Sequence, residues 1–131
     1  MENERYQKGW EVFKVLTGTD GVAELERIHA LCPDLANLII SNGFADIYSR
    51  PGLDLKEREL VTLSSLITQG ATEQLPMHVN AALNIGLTPK EIMEVVLQCT
   101  VYVGFPKALS AFAVVMDIFE KRAIHISGTG I

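Results

Sequence analysis

Four residues, Thr88-Pro89-Lys90-Glu91, open a stretch that constrains the fold more than any other part of the chain. The threonine can cap a helix, the proline suits its first position, and a glutamate at the third can reach back to the capping residue's N–H. From Ile92 to Val103 nearly every residue is apolar or small. Its β-branched members Val95, Val96, Thr100, Val101 and Val103 would also suit a strand. The explicit cap and a length beyond the usual strand select a helix, and its continuous apolarity predicts one covered on most sides. Gly104-Phe105-Pro106 makes a corner, beyond which a second apolar helix is expected over about 106–122.

Similar punctuation divides the rest. Residues 3–17 read as a helix with an aromatic stripe at Tyr6, Trp10 and Phe13, broken at 17–21 and followed by a short helix over 22–31. Pro33 suits the first turn of a helix to about Tyr48 that buries Leu35, Leu38, Ile39 and Ile47. Arg50-Pro51-Gly52 ends it. Asp54 with Glu57 opens a helix to Gly70 carrying Leu60, Val61, Leu63, Leu66 and Ile67. Another, over about 72–85, presents Leu75, Val79 and Ala82 and stops at Gly86. The pairs 55–86 and 88–122 predict an all-α bundle of about six helices. At 131 residues it forms one domain, 1–131, with helix 3–17 packing on the core and a loose tail from about 125. Apolar faces this broad predict self-association.

A net charge of −5 and the absence of any Lys/Arg cluster argue against nucleic acid. No run of 18 apolar residues could span a membrane, and MENERYQKGW lacks an apolar targeting core, so a cytoplasmic protein is expected. Cys32 and Cys99 form no redox motif. His29, His78 and His125 are scattered, and no HExxH or CxxC is present, so no metal site is expected. Gly18 and Gly21 lack the preceding strand and following Lys-Ser or Lys-Thr of a phosphate loop.

Two polar residues inside apolar helices point to chemistry. Glu59 is either a surface carboxylate favoured by a helix N-terminus or a partly buried base. His78, in LPMHVNAAL, is either a packed imidazole with one satisfied nitrogen or a proton shuttle. Nineteen residues and the break at Gly70 separate them, so an antiparallel helix pair could bring them face to face. Tyr102, near the end of the helix expected to be most buried, would need a partner for its hydroxyl whether or not it is catalytic.

The segments RYQKG (5–9), YSRPGLDLKERELVTL (48–63), HVNAALNIGLTPKEI (78–92) and VVLQCTVYVGFPKAL (95–109) give the chain a co-linear resemblance to the carboxymuconolactone decarboxylase family, within the alkylhydroperoxidase D-like superfamily. The resemblance implies an all-helical fold, homo-oligomers that are often hexamers built as trimers of dimers, and a small-molecule substrate handled without a cofactor. Decarboxylases of the family convert 4-carboxymuconolactone to 3-oxoadipate enol-lactone. By position, Arg50 and Arg58 match substrate-binding arginines, and His78 and Tyr102 match the family's histidine and tyrosine. Where the decarboxylases have serine after the second arginine this chain has Glu59. Where they follow the histidine with Leu-Arg it has Val79-Asn80. Glu59 and His78 match instead the relay of the hydroperoxidase branch, but Ala71 and Gln74 stand where its cysteines belong. The expected activity is acid–base catalysis on a small acidic lactone or related acid, with Glu59, His78 and Tyr102 catalytic. The alternatives are a peroxidase-like antioxidant and a non-catalytic, ligand-binding oligomer.

Overall fold

A computed structural model describes residues 3–126. They form six α-helices and one π-helical stretch, and no strand occurs among them. The elements are α1 (Glu4–Leu31), α2 (Pro33–Leu38), the π segment (Ile39–Tyr48), α3 (Leu55–Gln69), α4 (Leu75–Asn84), α5 (Pro89–Val103) and α6 (Phe105–Lys121). The all-α expectation therefore holds. The tail expected from about 125 lies, beyond Ile126, outside the described residues. Contacts divide the chain into two compact units, Met1–Leu55 and Lys56–Ile131.

In the first unit the Asn3 side chain caps α1 by accepting from the Tyr6 N–H at 2.9 Å. The break expected at 17–21 is a kink within one helical run, made by Gly18 at φ 64°, ψ −156°. Gly9 allows α1 to press against the π segment, because a Cβ there would come within 2.2 Å of the Ile40 carbonyl oxygen. Arg5 fixes the same contact with a two-pronged bond to Asp46, at 2.8 and 2.6 Å, and a third bond to Asn42 at 2.7 Å. Beneath it, Phe13 meets Phe44 edge to face at 4.9 Å.

The burial pattern over 33–48 corrects the sequence expectation. Leu35, Leu38 and Ile47 are exposed and Ile39 is only partly covered, whereas Ala36, Ile40, Phe44 and Ala45 are buried. Leu35 and Leu38 lie in α2, off the face that Ala36 and Ile40 share four residues apart, and beyond Ile39 the π-helical bonding, i to i+5, shifts the inward face away from a 3.6-residue period.

The second unit has its own core, built from Leu63 and Ile67 of α3, Leu75 and Val79 of α4, Ile92 and Val96 of α5, and Ala111 and Val115 of α6. Each large aliphatic side chain buried there contributes about 1.5–3 kcal/mol. Gly70, Gly86 and Gly104 take positive φ at the ends of helical runs. Residues 71–74 form a turn rather than the first turn of α4, which starts at Leu75. The capping box at α5 is present: the Glu91 N–H donates to Thr88 Oγ1 at 3.1 Å, and the Thr88 N–H to Glu91 Oε1 at 2.8 Å. The bond from the Thr88 N–H first, and then the Thr88 side chain, hold the Glu91 carboxyl below its usual range.

Helix α5 is not covered on most sides, as its composition had suggested. Met93, Val96 and Cys99 face the core, but Leu97, Val101 and Tyr102 are exposed. An all-apolar helix can bury only the face its own chain supplies.

Candidate active site

Residues 59, 63 and 67 recur every four positions along one face of α3, so Glu59 falls on the stripe that Leu63 and Ile67 bury. On α4 the inward stripe is Leu75, Val79 and Ala82, and His78 is one turn beyond Leu75 on its flank. After Gly70 the chain doubles back, and His78 Nδ1 comes to 3.0 Å from Glu59 Oε1. Glu59 is 0% exposed, while the His78 side chain is 17% exposed.

This inequality matters. A buried carboxylate is costly unless it is paired and hydrogen-bonded, and His78 provides a partner from 19 residues away. Where that carboxyl is ionised it can only accept, so the ring nitrogen facing it then carries a proton and Nε2 is turned away from the carboxylate.

The other expected site residues are distributed differently. Arg58 is half-buried on α3, next to Glu59 in the chain, and its Nε is buried. Arg50 is exposed in the first unit just past the π segment, where its N–H donates to the Ile47 carbonyl at 3.1 Å. Tyr102 is 81% exposed near the end of α5 and does not join the buried pair within one chain. The expectation that its hydroxyl would need a buried partner therefore fails, because solvent is available to it.

One feature escaped the sequence. Arg122, read there as one of a basic pair at a helix end, reaches back to α4. Its Nε donates to Asn80 Oδ1 at 2.9 Å and its Nη2 to Asn84 Oδ1 at 2.8 Å. The signal was the pair of asparagines four residues apart on one face of α4. Position 80, where the resemblance led one to expect an arginine, thus has a guanidinium beside it after all, donated from the far end of the unit. The clamp grips the face of α4 opposite His78, since two residues correspond to about 200° of helix rotation.

An open groove of about 470 Å³ lies between α3 and α5, with Leu60, Val95 and Cys99 among its apolar lining and Ser64, Gln98 and Glu94 among its polar lining. Burial pushes the Cys99 thiol above its ordinary range, which disfavours thiolate chemistry there. Cys32 is exposed. Among the described residues no group of three His, Cys, Asp or Glu side chains is placed to hold a metal ion. No helix there is long and apolar enough to cross a membrane.

Comparison with known proteins places this geometry in context. The model of the carboxymuconolactone decarboxylase family matches residues 33–117. The chain is 32% identical over 124 residues to the 4-carboxymuconolactone decarboxylase of Acinetobacter baylyi, covering 94% of this chain and 92% of that protein. It is 42% identical over 88 residues to the nitrosuccinic acid decarboxylase of Metarhizium robertsii, covering 64% of this chain and 62% of that one. An uncharacterized 15.0 kDa protein of Paracoccus denitrificans is 28% identical over 118 residues, 88% of each chain. With a family match spanning most of its length and a relative aligned nearly end to end, the chain belongs to the carboxymuconolactone decarboxylase family.

Proposed function

We propose that this protein is a decarboxylase-type acid–base enzyme of the cytoplasm, acting on a small acidic lactone or related organic acid. Glu59 orients His78, and His78 delivers the proton. The observation that carries this reading is the fully buried Glu59 carboxylate at 3.0 Å from His78 Nδ1. A proton relay needs such an arrangement, with one end dry and fixed and the other open to a ligand.

The chemistry balances with a proton and carbon dioxide alone. The bond from carbon to the departing carboxylate breaks, and its electron pair passes into an adjoining electron-withdrawing group. Nε2 of His78 first takes up a proton from water while Nδ1 keeps its own toward Glu59; carbon dioxide leaves, and Nε2 passes that proton to the carbon. The names of two relatives support this substrate class. Carboxymuconolactone offers an unsaturated lactone, and nitrosuccinic acid a nitro group, to receive the pair.

Arg58 and Arg50 are the proposed cations for substrate carboxylates, and Tyr102 the proposed hydrogen-bond donor. The exposure of Arg50 and Tyr102 fits these roles if copies of the chain assemble, and a homohexamer built as a trimer of dimers is part of the proposal. The peroxidase alternative gains no support from a buried Cys99, whose thiol burial pushes up, and an exposed Cys32.

The test is carbon dioxide release from a panel of muconolactone-type and nitro-substituted acids. Turnover by the wild type that falls about 10²–10⁴-fold in His78→Asn agrees with the relay. Unchanged turnover in the folded variant would overturn it. The double variant Cys32→Ser, Cys99→Ser should stay within roughly tenfold of wild type, which a thiol peroxidase could not do.

A further inference from the structure

Helix α4 carries His78 but is weakly anchored by its own sequence. It has 10 residues, about 15 Å of helix. No side chain caps its first turn, and no basic residue stands in its last. By backbone proximity its neighbours are α6 first and α5 second, both ahead of α3. Glu59, however, is on α3. The 3.0 Å contact between Glu59 and His78 therefore joins α4 to a helix that is not its closest neighbour, and a small shift of α4 would open it.

The Arg122 clamp supplies the missing anchor. Arg122 can only donate, so the Asn80 oxygen faces it and the Asn80 amide nitrogen donates to the Pro76 carbonyl at 3.1 Å. The bonds run from Arg122 through Asn80 to the first turn of α4, and through Asn84 to its last residue, with His78 between them. The neighbouring Lys121 behaves differently, pairing with Asp117 of its own helix at 2.9 Å. At the other end of α6, Lys107 Nζ donates to the Thr68 carbonyl at 2.9 Å, near the end of α3. Helix α6 is thereby tied to both helices of the pair, to α3 at its start and to α4 just past its finish.

We propose that Arg122 is a positioning residue for His78: carried by α6, it fixes α4 where the imidazole meets Glu59. The proposal rests on the Glu59–His78 relay proposed above. The guanidinium fork holds two amide oxygens one helical turn apart, which the single ammonium of a lysine could not grip in the same way. Its charge lies beside the last residue of α4, where the helix dipole is negative and α4 has no cation of its own. It also grips α4 from the side away from His78, which leaves the partly exposed ring its open flank for a ligand.

The experiment is nitrogen-15 NMR of the full chain. It follows the exchange with water of the His78 Nδ1–H proton, whose signal is identified by its loss in His78→Asn. In wild type this proton should be protected, since it donates to a buried carboxylate. Arg122→Met keeps the apolar stem and removes the fork, and exchange should quicken by about tenfold or more as α4 opens locally. Asn84→Ala should act in the same way, and it serves if Arg122→Met does not fold. The two together should add little to either alone, because they break one clamp. Arg122→Lys should recover only a small part of the protection. Thr88→Ala, a cap change worth about 1 kcal/mol in the same unit, should quicken exchange far less, which separates positioning from a general loss of stability. An unprotected wild-type proton overturns the relay and this proposal together. A wild-type proton that stays equally protected in Arg122→Met overturns this proposal alone. So do an equal effect from Thr88→Ala, full recovery by Arg122→Lys, and effects of Arg122→Met and Asn84→Ala that multiply.

Discussion

The two units bury polar side chains in different ways. In the first, Thr17 Oγ1 donates to the Phe13 carbonyl at 2.8 Å and Ser41 Oγ to Asn37 Oδ1 at 3.1 Å, each within one turn. In the second, Glu59 is met by a side chain 19 residues away on another helix. A hydroxyl satisfied by its own helix is a local accommodation and asks nothing of the tertiary structure. A carboxylate with no exposed surface depends on a partner that only the folded unit delivers, and apolar residues of similar volume would often serve stability as well. The cost of retaining an ionisable pair there is what supports proposing the second unit as the place of the chemistry.

The sharpest way to break this contrast is a double-mutant cycle on the pair. Glu59→Gln and His78→Asn should each reduce turnover by about 10²–10⁴-fold. Their combination should lose far less than the product of the two, because residues acting as a unit are not additive. Multiplicative losses would mean that the two side chains act separately. Stability should fall too, by roughly 3–5 kcal/mol in His78→Ala, since the fully buried Glu59 carboxyl is left without His78.

In the first unit the sensitive point is steric. Gly9→Ala forces a methyl group to 2.2 Å from the Ile40 carbonyl oxygen, which is backbone and cannot rotate aside. A loss of about 1–3 kcal/mol is expected in chemical denaturation. Gly43→Ala, whose methyl group would meet nothing within 4 Å, should be neutral or slightly stabilising. Equal effects at the two positions would show that α1 and the π segment are less closely apposed than the structure has them.

What the sequence revealed followed the range of the interactions. The Thr88 cap and the turns at Gly70, Gly86 and Gly104 were legible because each is written in a few neighbouring residues. Glu59 and His78 were legible as misfits in apolar helices, but their 3.0 Å separation is a tertiary fact. The inward face of 33–48 was misread because in α2 the small Ala36, not Leu35 or Leu38, shares the buried face with Ile40, and because the π-helical turns beyond it leave no composition signature. The apolar run 92–103 was misread for another reason: an apolar residue that the chain leaves exposed looks the same in sequence as one it buries. Val101 and Tyr102 are exposed, not covered. The Arg122 clamp on Asn80 and Asn84 joins residues some forty positions apart, and no local pattern encodes the meeting.

A smaller effect belongs to the cap of the second unit. Thr88→Ala removes the acceptor for the Glu91 N–H and should cost about 1 kcal/mol in thermal or denaturant unfolding. Thr88→Ser should restore most of it. A null result would mean that Pro89 and the packing of α5 already fix the start of the helix.

The smallest expected effect is the acid response of the Arg5–Asp46 pair in the first unit. The hydrogen bond from Arg5 holds the Asp46 carboxyl below its ordinary value of 3.8, against a smaller opposing contribution from desolvation. A carboxyl whose pKa is lower folded than unfolded contributes stability above its unfolded value and loses it as pH falls through the folded one. The stability gap between wild type and Asp46→Asn should therefore be open at neutral pH and close as pH falls below 3.8 through the folded value, beyond which both states bind the proton. Arg5, raised by the same bond, adds no change within the accessible range. Glu91 is also held low and has the same sign, so acid sensitivity should persist in the Asp46→Asn chain and shrink further when Glu91→Gln is added. Both carboxylates are solvent-exposed, so salt should narrow the Asp46 gap through screening. A gap that stays constant from neutral pH to well below 3.8 would show that Arg5 serves the first unit by packing its stem and not by its charge.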